Sequence, residues 1–391
     1  MAEDCYDDGE QEMKENLIIE NFGPIKKIEL NDIRPLTILI GESGSGKSTI
    51  LKVLSLFRWM YKQINIRSYL KHAKIARTGI RFRIESLLRT SGIYEYLHKD
   101  SIIRYQRNKY EIKMQNRTVS ARITVAKEDL CLDKICFISD KRAMIANFIN
   151  NRIERKAADY YLQDTIDNFV TAYDAIKQFP LDFLGVSFKL EKQKNAPAKL
   201  TIQGESEVNY SIEMKNASSG IQTVTPLAMI IEYYATQYDA IENMNSALFN
   251  YMAGNDQLKN FNAAINAGEI EQRNVHILIE EPELSLYPES QKDLMDYLVK
   301  TCYHTDHDYN MTLMIATHSP YIVNYLNLLI KRADSNIETK YKLEYSDISV
   351  YEVADGNILS LKVDEVNLID TRVLSDPISD IYAEYNDVAR T

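Results

Sequence analysis

Nine consecutive residues, Gly41, Glu42, Ser43, Gly44, Ser45, Gly46, Lys47, Ser48 and Thr49, concentrate the chemistry that this chain could perform. Gly41, Gly46, Lys47 and Ser48 keep the G-x-x-x-x-G-K-[ST] spacing. Glycines in that pattern let backbone N–H groups converge on phosphate oxygens, the lysine brings a cation to the β and γ groups, and the serine hydroxyl can ligate Mg2+. Glu280 and Glu281 stand side by side after an apolar run, where two carboxylates are costly without a cation; a magnesium nucleotide supplies one. His318 follows a second apolar run, in Thr317-His318-Ser319-Pro320. Ser219, Gly220 and Gln222 open an apolar helix that runs toward Tyr234.

These side chains need a frame. Leu36 to Ile40 is short and wholly apolar apart from Thr37, as a buried parallel strand requires, and Ile50, Leu51, Val53, Leu54 and Phe57 recur at helical spacing just beyond Lys47. The order strand, glycine loop, helix aims the free N–H groups of the helix start at the loop. Ile277 to Ile279 and Met311 to Thr317 read as two more buried strands, which place Glu280, Glu281 and His318 at carboxyl ends, the edge where open α/β sheets bind ligands. Ile135 to Ile138 is a fourth.

The rest of the chain reads as supporting structure. Asn16 to Leu30 alternates around Phe-Gly-Pro as a hairpin, and Tyr105 to Val125 patterns as strand on both sides of a turn at Gln115-Asn116-Arg117. Asn147 to Phe179 lacks Gly and Pro and reads as helix until Pro180 stops it. Strands follow near Leu184 to Leu190, Lys199 to Gln203 and Val208 to Met214, then a polar helical stretch from Asp239 to Arg273. Pro288 suits the first turn of a helix. Ser349 to Ile358 reads as a hairpin, followed by an acidic tail.

Composition bounds the class. The chain has 391 residues, 45% of them hydrophobic, and a net charge of −10. Its first fifteen positions are acidic, and no apolar run is long enough for a membrane span, so neither a signal peptide nor a membrane anchor is expected and the cytoplasm is the expected compartment. The four cysteines are too scattered for a disulfide framework, and Cys131 and Cys136 lack a second pair at zinc spacing. His304, Asp306, His307 and Asp308 read as a polar loop. Residues 58–127 hold seventeen Lys and Arg against four acids, a local excess of +13 that leaves about −23 for the remainder. Arg67, Lys71 and Lys74, three and four apart, would form a cationic stripe on one helical face, suited to nucleic acid or to an acidic protein.

The set resembles the ABC-type ATPase heads of the structural-maintenance-of-chromosomes and RecF class, and most closely the small bacterial ATPases of the overcoming-lysogenisation-defect, PARIS and Septu type. Asn21-Phe22-Gly23, the phosphate loop, Ser219-Gly220-Ile221-Gln222, Glu280-Glu281-Pro282-Glu283 and Thr317-His318-Ser319-Pro320 stand in that family's order. The resemblance implies an α/β fold with a mixed, mostly parallel sheet around the phosphate loop, an antiparallel β lobe and a helical insertion lobe. It implies one head over residues 16–391 after an acidic tail at 1–15, with a basic insertion at 58–127, a helical signature lobe at 147–273 and a terminal region at 274–391. ATP and Mg2+ would be the cofactors. Glu280 would associate with the metal, Glu281 would align the attacking water, His318 would sense the γ phosphate, and Ser219, Gly220 and Gln222 would act on the ATP of a second copy in a homodimer or higher oligomer. Relatives of this kind serve as sensor ATPases in anti-phage defence beside a separate nuclease or toxin. A RecF-like repair ATPase and a non-hydrolysing ATP-bound scaffold are the alternatives. The nuclease domain that follows the ATPase in overcoming-lysogenisation-defect proteins is not expected in the roughly 70 residues after His318. Ser43 stands where the family often has Asn, Ile221 replaces a signature glycine, and Glu280 replaces the commoner Asp. The family's mid-domain glutamine has no counterpart, although Arg142 follows a comparable strand.

Overall fold

The computed structural model describes residues 13–31, 33–76, 79–149, 157–193, 196–204, 210–254, 267–335, 341–374 and 376–388. In chain order, β1 (Glu15–Phe22) and β2 (Ile25–Leu30) are followed by β3 (Leu36–Ile40), α1 (Lys47–His72) and α2 (Ile84–Thr90). Then come β4 (Leu97–Arg107), β5 (Tyr110–Gln115), β6 (Thr118–Ser120), β7 (Cys131–Ile138), α3 (Ile145–Ile149) and α4 (Tyr160–Ala175). The middle of the chain supplies β8 (Gln178–Leu181), β9 (Val186–Gln193), β10 (Ala196–Gly204), β11 (Ser211–Glu213), α5 (Ser219–Thr236) and α6 (Ala240–Gly254). Last are β12 (Gln272–Glu280), α7 (Pro288–Tyr303), β13 (Asn310–Thr317), α8 (Pro320–Asp334), β14 (Ile348–Ala354), β15 (Asn357–Ser360) and α9 (Asp376–Val388).

The fold is mixed α/β. A six-stranded sheet runs β15-β14-β3-β13-β12-β7, parallel throughout except for β15. Both of its faces are covered, which is why its strands are apolar runs and do not alternate with polar residues. Leu36, Ile38 and Ile40 of β3 and Val275, Ile277 and Ile279 of β12 enter a core shared with α4, α5, α7 and α8. Their neighbours Leu39 and Leu278 enter a second core with α1 and a five-stranded antiparallel sheet, β2-β1-β4-β5-β6. A third sheet, β11-β10-β9-β8, is also antiparallel. Among the described residues no helix is long and apolar enough to cross a membrane.

Several expectations need correction. Helix does not run unbroken from Asn147 to Phe179: α3 ends at Ile149, residues 150–156 lie outside the described residues, and α4 begins after an Asp159 cap whose side chain accepts from Leu162 N at 2.9 Å. Nor does Pro180 stop a helix. It sits inside β8, an edge strand, the kind of strand in which a residue without an N–H is tolerated. Glu15 belongs to β1 and is fully buried, although the sequence counts it with the acidic tail; the tail's positions 1–12, including Cys5, lie outside the described residues. Of the stretch from Asp239 to Arg273, α6 is helix, 255–266 lie outside the described residues and Gln272 already starts β12. Beyond the C-terminal hairpin the acidic tail is not featureless but holds α9. Within the basic span, β4 to β6 are integral to the five-stranded sheet, and α1 ends at His72, so Lys74, with φ of 60°, stands off the helix.

Candidate functional site

All the candidate side chains but those of α5 gather at the carboxyl edge of the parallel sheet, because β3, β12, β13 and β7 point the same way. The loop after β3 depends on glycine. A Cβ on Gly41 would lie 2.3 Å from the Val353 carbonyl of β14, and Gly46 caps α1 with φ of 112°. No side chain caps that helix and no acid lies in its first turn, leaving its N–H groups to an incoming anion. A missing cap costs about 1 kcal/mol. Burying Ile50, Leu51, Leu54 and Phe57 outweighs that at about 1.5–3 kcal/mol each, so the sequence can leave the helix start to a ligand.

Lys47 is buried, and its ammonium donates to the carbonyls of Gly41 at 2.7 Å and Glu42 at 2.8 Å. Burial pulls its pKa down to about 8 against the opposing pull of Glu281, Glu283 and Glu42. His318 bridges the next step, with Nδ1 3.5 Å from Lys47 Nζ and Nε2 3.5 Å from Glu281 Oε1. A neutral ring protonated on Nε2 satisfies both contacts. Glu281 itself takes a left-handed φ of 44° and is held by its own N–H on the Ala316 carbonyl at 2.8 Å.

Glu280 is 3% exposed, and burial raises its pKa. Lys52, with Nζ 3.8 Å away, and the Ser48 hydroxyl, hydrogen-bonded to the carboxylate, moderate the rise. A serine hydroxyl touching a buried carboxylate is the donor set that fits Mg2+, so Ser48 and Glu280 are the residues that would hold the ion. The uncapped start of α1 and Lys47 fit a triphosphate. Glu42, Ser43 and Gly44 are exposed, Ser45 is half-buried, and Thr49 is buried within α1.

The α5 residues stand apart. Ser219 is exposed, and among the described residues no hydrogen bond or ion pair links Ser219, Gly220 or Gln222 to the phosphate loop. Gln222 Nε2 donates to the carbonyls of Lys215 at 3.1 Å and Ala217 at 2.8 Å, tying down its own approach loop. Gly220 packs against the turn after Glu281, where a Cβ would come within 2.9 Å of the Ser285 carbonyl.

Three residues, Glu283, Asp140 and Lys52, escaped the sequence reading as parts of this site. Glu283 Oε1 accepts from His318 N at 2.7 Å, while its Oε2 is buried and makes no hydrogen bond among the described residues. Asp140 approaches Glu280 and gives it a backbone N–H. Lys52 lies one turn of α1 beyond Ser48, a spacing that could have been noticed. Arg142 does not take the place of a ligand-facing glutamine: it is fully buried, and its guanidinium faces protein carbonyls. The cationic stripe is also partly engaged within the fold, with Arg67 Nη1 on Tyr251 Oη at 3.1 Å and Lys71 Nζ on Thr124 Oγ1 at 3.0 Å. His304 and His307 each bond a backbone carbonyl, those of Lys342 and Cys302.

No curated protein matches the chain. Among solved structures it is similar to an SMC head domain from Thermotoga maritima (12% identity, 90% of this chain and 99% of that one, TM-score 0.35). It is also similar to an Smc head domain with an extended coiled coil, bound to the C-terminal domain of ScpA and derived from Pyrococcus furiosus (12%, 93% and 99%, TM-score 0.37). A third likeness is to the recombination mediator protein RecF with ATPrS (10%, 89% and 98%, TM-score 0.38). A family model described as the AAA ATPase domain matches residues 13–134 and 63–323, a span that contains the phosphate loop, Glu280, Glu281 and His318. The chain therefore belongs to the AAA ATPase domain family.

Proposed function

We propose that this protein binds ATP with Mg2+, hydrolyses it, and uses the cycle to join and release two or more copies of itself. One observation carries the reading: Lys47, His318 and Glu281 form a connected line in which a cation, an imidazole and a carboxylate stand 3.5 Å apart in turn. Phosphoryl transfer needs chiefly positioning, charge neutralisation and a group that aligns the nucleophile. Lys47 and the loop N–H groups would bind the β and γ phosphates. Ser48 and Glu280 would hold Mg2+, which supplies further neutralisation. Glu281 would accept a hydrogen bond from the attacking water, and His318 would report through Lys47 and Glu281 whether a γ phosphate is present. Exposed at the start of α5, Ser219 is free to meet the nucleotide of a second copy, with the half-buried Gly220 beside it.

The finer role rests on the motif order. It resembles that of the overcoming-lysogenisation-defect, PARIS and Septu ATPases, and we read the protein as the cytoplasmic sensor of an anti-phage defence system that controls a separate nuclease or toxin. The decisive variant is Glu281→Gln, which keeps the shape and removes the charge. It should bind ATP, remain associated, and hydrolyse orders of magnitude more slowly, whereas Lys47→Ala should lose ATP binding. Equal turnover by Glu281→Gln and the parent would sink the role given to Glu281. Pull-down from the native host tests the partner: recovery of repair proteins on DNA, with no nuclease or toxin, would replace the defence reading.

A further inference from the structure

Arg142 is one of the largest wholly buried side chains of this protein, and its partners are unusual for a buried cation. Nε donates to the Thr223 carbonyl at 2.9 Å, Nη1 to Ser139 at 3.2 Å and Glu280 at 2.7 Å, and Nη2 to Glu281 at 2.6 Å and Pro282 at 3.4 Å. Five N–H donors thus meet five carbonyls. Those carbonyls come from three separate places: the end of β7, the first turns of α5, and the turn that carries Glu280 and Glu281.

A guanidinium stripped of water is expensive, and among the described residues no carboxylate makes a hydrogen bond to it. Burial lowers its pKa to about 10, with Glu283, Asp140, Glu281 and Glu280 acting in the opposite direction. A methionine or leucine would fill the same space without that cost, so packing alone does not account for an arginine. The fork geometry does, because it can fix several carbonyls in one plane at once. What it fixes is strained: Glu281 holds a φ of 44°, a region that L-residues enter at a cost. At the other end of the clamp, Pro226 inside α5 has no N–H for the Gln222 carbonyl and loosens the ladder beside Thr223, the carbonyl that Arg142 takes. Thr223 Oγ1 adds a direct bond to the Leu284 carbonyl at 2.9 Å.

We propose that Arg142 is a positioning residue for hydrolysis, locking the backbone turn that carries Glu281 and the start of α5 into one unit so that a second copy meeting Ser219 is felt at Glu281. The proposal rests on the reading of Glu281 as the group that aligns water. Arg142 is wholly buried and would act through the carbonyls it holds. Without the clamp, Glu281 drifts, and a displacement near 1 Å in such a site costs about 100-fold in rate.

The test uses the full chain and five variants: Arg142→Lys, Arg142→Met, Glu281→Gln, the double variant Arg142→Lys with Glu281→Gln, and Arg107→Lys. Arg107 is equally buried but lies in an ion pair with Asp133, at the opposite end of β7 from Ser139; Arg107→Lys controls for lost stability. Arg142→Lys should bind ATP within about 3-fold of the parent and turn over about 100-fold more slowly. The double variant should be hardly slower than Glu281→Gln, because both act through one group. Arg107→Lys, with a comparable fall in melting temperature, should keep its turnover. Should Arg142→Met fail to fold, Arg142→Lys carries the test alone. The proposal is overturned if Arg142→Lys keeps turnover within about 3-fold, if the two losses multiply in the double variant, or if Arg107→Lys loses as much turnover. A parent that binds ATP without hydrolysing it overturns the ATPase reading and the proposal together, whereas an active parent with an unaffected Arg142→Lys overturns only the clamp.

Discussion

Lys47 is the residue on which the electrostatics of the site converge. With its pKa near 8 and an ordinary value of 10.5, the ammonium begins to lose its proton in the folded, nucleotide-free protein at a pH where an exposed lysine is fully charged. The sign follows from linkage: the charged form opposes folding below about pH 8, and that opposition is relieved as pH rises toward 10.5. A triphosphate favours the charged form, so ATP binding at pH 8 should take up about half a proton per site, and affinity should fall from pH 8 upward. Titration calorimetry in two buffers of different protonation enthalpy measures the uptake. Lys47→Arg should abolish it, and a parent with no uptake at pH 8 would contradict the assignment. Lys47, Ser48, Glu280, Glu281 and His318 were legible in the sequence because each stands in a run or at a strand end that its neighbours declare. The contacts of Glu283, Asp140 and Arg142 were not, because they join residues distant in the chain, such as Arg142 with Glu281, and no local spacing encodes them.

Between secondary-structure elements the same contrast holds. The parallel strands were readable because burial on both faces leaves near-continuous apolar runs, and the hairpin of β1 and β2 because Gly23, with φ of 55°, marks its turn. The break between α3 and α4 and the strand around Pro180 were missed, since apolar spacing over Asn147 to Phe179 fits a helix until tertiary pairing of β8 with β9 overrides it. The deepest surprise is ionic. Glu15 of β1, Arg58 of α1 and Tyr105 of β4 meet in the second core, with Arg58 Nε on Glu15 Oε1 at 2.8 Å and Tyr105 Oη on the same oxygen at 2.6 Å. Burial would raise the Glu15 carboxyl, but Arg58 overcomes it and holds the pKa at about 2. Glu15→Gln leaves Arg58 buried without its charge partner and should destabilise the fold by about 3–5 kcal/mol, read from urea midpoints at neutral pH. Because the folded value lies below the ordinary 4.5, the pair's contribution is present above that pH and is lost as pH falls toward 2. The difference between parent and Glu15→Gln should therefore shrink on acidification, and a constant difference from pH 6 to pH 3 would refute the linkage.

At the level of assembly, charge and geometry oppose each other. Each copy carries a net −10, so two copies repel at long range, and the ATP-driven association we propose should be faster at moderate salt than at low salt. Part of the local basic excess is internal: Arg58 and Arg107 lie in buried ion pairs with Glu15 and Asp133. In the association we propose, short-range contact around the nucleotide would overcome the repulsion, and the exposed start of α5 is the surface we assign to it. Ser219 is exposed beyond its Ser218 cap, so a larger side chain there meets solvent and not core. Ser219→Arg should thus fold with the parent's melting temperature and bind ATP with nearly the parent's affinity, yet fail to associate when ATP is added. Light scattering with and without ATP, run beside a nucleotide titration, separates the two properties. Were ATP affinity and association to collapse together, Ser219 would act within its own copy or support the fold, and the proposed contact between copies would have to be placed elsewhere.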